Sequence, residues 1–268
     1  MIIEWNQHIF SADTTCHPFH PQAVYHPPAD QLSPDPLQDY IEHMTHHDID
    51  RAILVHPEPY GDDHRLVLQC LAQHPDRFKG TALFYPNDHA APSKLRDLVA
   101  QAPDIIAMRF HAHRGKEQYL TSFDDAGVVA LWQTAAELGL IVELHIGPNF
   151  ARQAAARIAE HPDTTVLIDH LAEPQLGDAV EYADVLELAN FDNVYMKLSG
   201  LNHFKEDAPL YTSALPFTRQ VIAAFGPQRM VWGSGSPDIV DAHMPDHTNE
   251  ERALVKGGNL ARLLKWES

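Results

Sequence analysis

The feature that most constrains the fold is an alternation, repeated eight times, of short apolar runs with longer amphipathic segments. The apolar runs have the length and the β-branched content of strands, and they lie at residues 2–6, 51–56, 80–85, 105–111, 141–146, 165–169, 194–198 and 230–233. Alternation of this kind is typical of parallel βαβ units, and eight units in 268 residues match the usual size of a closed barrel. The sequence therefore predicts an α/β fold, a single TIM-like (β/α)8 barrel, in one domain over residues 1–268.

Composition narrows the classes of partner. The chain carries a formal net charge of −18, which disfavours binding to nucleic acid or to an anionic membrane surface. No apolar run reaches the length of a membrane span, and no signal-peptide pattern precedes the first predicted strand. Cys16 and Cys70 stand in no metal-binding spacing. These features predict a cytoplasmic protein that acts on a small molecule, either as a homo-oligomer, with a sister subunit or alone.

Polar side chains stand at the ends of the predicted strands, where barrel enzymes place their chemistry. In chain order they are Asn6 and His8, His56, Tyr85, then Arg109, His111 and His113, then His145, Asp169 and His170, then Lys197 and Ser199, and last Ser234, Gly235 and Ser236. Imidazoles that converge there suit a divalent metal ion, proton transfer or polarisation of a carbonyl group. The Arg109 guanidinium suits a substrate carboxylate, although pairing with an acidic side chain of a neighbouring strand would serve stability alone.

Two loops are expected to shape the pocket. Residues 11–36 follow the first strand and are too polar and too rich in proline to form core. The second loop follows the eighth strand and contains His243, Asp246 and His247.

Several stretches carry a resemblance to a known family. They are "IAMRFH" at the fourth strand, "VELHIGP" at the fifth, "VLIDHLAEP" at the sixth, "NVYMKLSGL" at the seventh, "RMVWGSGSP" at the eighth and "VKGGNLARLL" near the end. With these stretches the chain resembles the amidohydrolase superfamily, in particular the amidohydrolase 2 branch. That branch includes 2-pyrone-4,6-dicarboxylate lactonase and sugar-acid lactonases, with decarboxylases as more distant relatives.

The resemblance implies roles for individual positions. The His-x-His of the family's first strand falls on Asn6 and His8, its later histidines on His145 and His170, and its substrate-binding arginine on Arg109. These positions imply a metal site at His8, His145 and His170 for one divalent ion such as Zn or Mn, or no metal, as in the pyrone lactonase.

Two positions depart from the family pattern. An asparagine such as Asn6 coordinates zinc weakly compared with imidazole. The family's aspartate, which ligates metal and moves the proton of the attacking water, falls on Gly235, which has no side chain for either task.

Three functions remain open from the sequence. The first is a hydrolase of a small carboxylated lactone, or a related ester or amide, with an atypical site. In that reading His8, His145 and His170 are catalytic, and Arg109, His111 and Asn6 bind the substrate. The second is a catalytically degenerate paralogue that binds a ligand or a partner subunit. The third is a metal-dependent decarboxylase or another lyase or oxygenase-like relative.

Overall fold

Eight parallel strands form one sheet in chain order in the computed structural model, which describes residues 1–112 and 120–266. The strands are β1 Ile3–Gln7, β2 Arg51–Leu54, β3 Phe78–Leu83, β4 Ile105–His111, β5 Ile141–His145, β6 Val166–Ile168, β7 Val194–Leu198 and β8 Met230–Trp232. β8 lies against β1, so the sheet curves into a nearly closed barrel. The predicted (β/α)8 fold class is confirmed.

The strand bounds differ slightly from those predicted. β4 and β7 are as predicted, whereas β2 ends at Leu54 and β6 covers only Val166–Ile168. The reason is that the residues just beyond the short strands leave the ladder for the loops at the carboxyl end. The N–H of Val55 still bonds the carbonyl of Gln7 in β1, and that of Asp169 bonds the carbonyl of Leu144 in β5, but the regular ladder stops there, which apolar patterning does not reveal.

Helices cover the outside of the sheet. They are α1 Pro36–His46, α2 Arg65–Gln73, α3 Ala91–Gln101, α4 Ala126–Glu137, α5 Ala151–Glu160, α6 Ala179–Glu187, α7 Leu215–Phe225, α8 Asp238–His243, α9 Asn249–Ala253 and α10 Asn259–Leu263, with a π-helical turn at Leu254–Gly258 before the last. Along the described residues, 1–112 and 120–266, no helix has both the length and the apolar character needed to cross a bilayer.

The helix α1 shows how local sequence sets these elements. Asp35 caps its first turn by accepting a hydrogen bond from the backbone N–H of Gln38, and a proline stands at its first position. Its buried residues, Leu37, Tyr40 and Met44, fall on one face at helical spacing and pack against the sheet.

The interior of the barrel contains an apolar plug. Most of the plug consists of side chains from six strands, namely Ile3, Trp5, Ile53, Val55, Ala107, Ile141, Leu167 and Val231. Leu260 and Trp266, from the C-terminal part of the chain, complete it. Because this plug excludes water from the lower barrel, any charged group placed directly above it is desolvated on one side. The plug therefore sets the electrostatic conditions of the site at the carboxyl end.

Candidate active site

Four charged side chains lie buried inside the barrel above the plug. Arg109 of β4, Glu143 of β5, Asp169 just after β6 and Lys197 of β7 are each at most 2% exposed. The Lys197 ammonium lies 2.8 Å from Glu143 Oε1 and 2.6 Å from Asp169 Oδ1. Arg109 donates to the other oxygen of Asp169, from Nε at 3.0 Å and from Nη2 at 2.8 Å. We call these four residues the buried quartet.

The pKa values of the two carboxylates in the quartet are shifted in opposite directions. Burial by itself would raise the pKa of Asp169, but Lys197 and Arg109 together hold it well below its usual range. Burial raises the pKa of Glu143 to about 7, and the neighbouring Asp169 carboxylate adds to that rise. Trp5 supports Glu143 by donating its indole N–H to Oε1 at 2.9 Å. Asp169 is therefore the ionised partner of both cations.

A cavity of about 790 Å³ opens above the quartet at the carboxyl end of the strands. It brings together the six residues that the sequence singles out for catalysis and binding: Asn6, His8, Arg109, His111, His145 and His170. Gly235 also lines it, whereas His113 lies outside the described residues. Val24 and Tyr25 from the long first loop form part of its wall.

The second loop that was expected to shape the pocket does not bring His243, Asp246 or His247 to the cavity wall. His243 is fully buried, and its ring nitrogens bond the hydroxyl of Thr218 and the carbonyl of Leu210. The cavity wall on that side instead contains Ser234, Gly235 and Ile239.

Hydrogen bonds fix the tautomer of His145. An arginine can only donate, so His145 Nδ1 accepts from Arg109 Nη2 at 3.1 Å. The proton then resides on Nε2, which donates to Glu173 Oε1 at 2.7 Å. Both ring nitrogens of His145 are thus committed, and the residue links the quartet to Glu173.

Glu173 is a buried carboxylate that the sequence did not single out. It accepts from three donors, namely His145, His203 Nδ1 at 2.9 Å and Gln175 Nε2 at 2.6 Å. Burial would raise the pKa of Glu173, but the bond from His203 and the other donors lower it. In return, the bond to Glu173 raises the pKa of His203.

The backbone that carries Glu173 is unusual. His170, Leu171, Ala172 and Glu173 have φ angles of 50°, 55°, 58° and 46°, so four consecutive residues other than glycine adopt the left-handed region. Such residues cost roughly 1–2 kcal/mol each, and the surrounding structure must hold them there. Gly200 makes room for this segment, since a Cβ at that position would lie 2.6 Å from His170 Cβ.

His8 and His170 are both held neutral. Burial lowers the pKa of His8 to about 3, with Arg109 adding to the effect, while its Nδ1 bonds the carbonyl of Val55 at 2.9 Å. Burial also holds the pKa of His170 well below its usual value, and its Nδ1 bonds Ser199 Oγ at 2.9 Å. These two side chains therefore act as neutral imidazoles.

Gly235 offers no side chain for catalysis, and its backbone conformation favours glycine. Its φ is +85°, and an added Cβ would lie 2.9 Å from Ile239 Cδ1. An aspartate would be strained at this position in the present backbone. Asn6 is also engaged, because its Oδ1 lies 3.4 Å from Lys197 Nζ.

Among the described residues, His145, Asp169 and His170 lie close enough to share an ion, with one candidate ligand atom from each within 4.8 Å of the others. The donor set nevertheless does not fit a divalent cation in this arrangement. Both Asp169 oxygens already face cations, and both nitrogens of His145 are used. A divalent cation beside the positively charged Lys197 and Arg109 would meet like charge in a desolvated site. The predicted ligation by His8, His145 and His170 stays a prediction.

Comparison with known proteins identifies the family. The amidohydrolase family model matches residues 12–265, and this chain belongs to the amidohydrolase family. The resemblance read from the strand motifs is thereby confirmed.

The individual relatives agree with this assignment. A 4-sulfomuconolactone hydrolase of Hydrogenophaga intermedia is 26% identical over 233 residues, which cover 86% of this chain and 72% of that protein. A crystal structure of a probable 2-pyrone-4,6-dicarboxylic acid hydrolase from Acinetobacter baumannii, with citric acid bound, is similar with a TM-score of 0.78 at 22% identity, covering 98% of this chain and 99% of that one. An amidohydrolase from Burkholderia multivorans with bound Zn gives a TM-score of 0.74 at 18% identity, covering 99% of each chain. Both structural likenesses show the shared fold.

The quartet gives a prediction about stability. Lys197→Met should lower the free energy of unfolding by about 3–5 kcal/mol, because it leaves Asp169 and Glu143 short of one buried cation. Lys94→Met is the matched control, since Lys94 is 45% exposed and pairs with Asp62 and Asp88 at the surface. That change should cost less than about 1 kcal/mol. Urea unfolding followed by circular dichroism measures both, and equal losses would contradict a dominant role for the quartet.

The donor arrangement gives a prediction about metal. Protein purified without chelator should contain well under one tightly bound transition metal per chain by elemental mass spectrometry. Dialysis against a chelator should leave its melting temperature unchanged, because the quartet is already balanced by its own cations. One zinc or manganese per chain that survives dialysis would show that the site rearranges to hold metal.

Proposed function

We propose that this chain is a hydrolase that opens a small lactone carrying an acidic group, using a site that departs from the family pattern at Asn6 and Gly235. The observation that carries the proposal is the convergence of Asn6, His8, Arg109, His111, His145 and His170 on one cavity. Its volume of about 790 Å³ lies within the usual range for small-molecule sites. The described relative from Hydrogenophaga intermedia is a 4-sulfomuconolactone hydrolase, and its lactone carries an anionic group.

The residues divide into binding and polarising groups. Arg109 faces the cavity and supplies the positive charge that an acidic substituent needs. His145 holds the Arg109 guanidinium in place through Nδ1 and is a positioning residue. Asn6 and His111 also line the cavity and contribute polar contacts to the substrate.

His170 is suited to polarise the lactone carbonyl. When the Ser199 hydroxyl donates to Nδ1, the ring carries its proton on Nε2, from which it can donate to the carbonyl oxygen. His8 has the opposite polarity: its Nδ1–H donates to Val55, so its Nε2 accepts a hydrogen bond from water or from a substrate hydroxyl.

A panel of lactones tests the proposal. Ring opening is followed by pH-stat with sulfonated and carboxylated lactones, neutral sugar lactones, simple esters and aromatic carboxylic acids. Turnover restricted to lactones, with the acidic ones favoured in kcat/KM, is expected. Tight binding without turnover would favour a degenerate ligand-binding paralogue, and release of carbon dioxide from an aromatic acid would favour a decarboxylase.

The charge at Arg109 gives a sharper prediction. Arg109→Lys keeps a cation beside Asp169 but loses the planar fork, so it should raise KM for acidic lactones about tenfold, roughly the loss of one good charge-assisted contact. KM for a neutral lactone is the internal control and should change little. An equal rise for both substrates would show that Arg109 serves the barrel rather than the anionic group, and thermal melting of the variant separates a loss of folding from either outcome.

A further inference from the structure

Hydrolysis of a lactone needs a base for the attacking water, and the position where the family resemblance places a carboxylate is Gly235. We propose that Glu173 and His203 form a carboxylate–imidazole dyad in which His203 Nε2 is the general base. This inference rests on the proposed lactone hydrolysis and adds two residues that neither the strand-end pattern nor the family motifs assign. Three observations support it: the hydrogen bonding of the dyad, its place in the cavity and the state of the other histidines.

The hydrogen bonds of the dyad fix the tautomer of His203. Glu173 is ionised and can only accept, so the His203 proton is on Nδ1, which lies 2.9 Å from Oε2 and 3.0 Å from Oε1. Nε2 then carries a lone pair. Across residues 1–112 and 120–266, no group hydrogen-bonds Nε2, and the side chain, 35% exposed, lines the cavity. This is the arrangement of an imidazole base oriented by a carboxylate.

His8, His145 and His170 are less suited than His203 to act as the base. His145 has both nitrogens committed to Arg109 and Glu173. The Nδ1 of His8 bonds the carbonyl of Val55, and the Nδ1 of His170 bonds Ser199 Oγ, so neither ring is oriented by a carboxylate that would stabilise its protonated form. His203 has that partner in Glu173.

The groups that face His203 are consistent with this role. Glu173 is the ionised neighbour of His203. The neutral His170 ring packs edge-on against the His203 ring, with 5.0 Å between the ring centroids. The imidazolium formed during catalysis would therefore lie beside one buried negative charge, and Arg109 of the quartet is three hydrogen bonds away through Glu173 and His145. Holding Glu173 here requires the left-handed segment that begins at His170, and strain of this kind is retained mainly at functional sites.

The proton and the electrons balance without a co-reactant. His203 Nε2 takes a proton from water as the water oxygen bonds the lactone carbonyl carbon. The resulting tetrahedral oxyanion collapses, the ring C–O bond breaks, and the departing oxygen takes the proton back from His203 Nε2. The product is the open-chain hydroxy acid, and the dyad returns to its initial state.

His203→Gln tests the base directly. With a lactone that the wild-type protein turns over, the variant should lose about 100- to 10,000-fold in kcat while KM changes by less than about threefold. His46→Gln, on the exposed face of α1, is the matched control and should keep wild-type kcat. A His203→Gln variant that retains a third or more of kcat, or one that loses only in KM, overturns the base role.

The pH profile of Glu173→Gln tests the positioning residue, because a merely structural role for Glu173 would not shift that profile. Loss of the carboxylate removes the charge that raises the pKa of His203, so the acidic limb of kcat against pH should move to lower pH. An unshifted acidic limb overturns the dyad.

Nitrogen-15 NMR of the imidazoles distinguishes failure of the dyad from failure of the proposed lactone hydrolysis. The wild-type spectrum should show His203 protonated at Nδ1, with a pKa that falls in Glu173→Gln. If no lactone is turned over, the proposed function fails, and the spectrum still decides whether the dyad exists. A His203 ring protonated at Nε2 in its neutral form overturns the dyad whatever the activity.

Discussion

The ion pair between Lys197 and Asp169 is the interaction on which the site depends. Both side chains are fully buried above the apolar plug, and the ammonium also reaches Glu143. Buried charges of this kind are costly to desolvate and persist only when they are paired and hydrogen-bonded. The pair keeps Asp169 ionised, and the ionised Asp169 orients Arg109. In this chain, protein cations balance the carboxylates at the centre of the barrel.

A continuous path of hydrogen bonds leads from that pair to the cavity. Asp169 accepts from Arg109, Arg109 donates to His145, His145 donates to Glu173, and Glu173 accepts from His203. Because arginine only donates and an ionised carboxylate only accepts, every tautomer along the path is determined. The left-handed segment ending at Glu173 places the carboxylate between the two histidines. The geometry at the cavity wall is therefore set by charges deep in the barrel.

The sequence predicts the barrel and most of the cavity because both follow from periodicity. Once strand ends are located, parallel pairing brings Arg109, His145 and His170 to one end of the barrel. Glu143 and Lys197 carry a further signal, since charges inside apolar strands must be paired, but the pattern does not say with which residue. Glu173 and His203 lie in loops beyond the strands. Left-handed backbone is expected at glycine, but the left-handed segment from His170 to Glu173 contains no glycine. No local rule therefore predicts the path that brings the Glu173 and His203 side chains together.

The distribution of the quartet along the chain has a consequence for folding. Its members come from four successive strands, β4 to β7, and the indole that supports Glu143 comes from β1. A partly folded chain that lacks β7 would hold two carboxylates and one guanidinium, and its polar centre would retain water. Full pairing of both carboxylates requires Lys197, so closure of the barrel and neutralisation of its core are coupled. Such dependence on distant segments is characteristic of slowly folding, high-contact-order topologies.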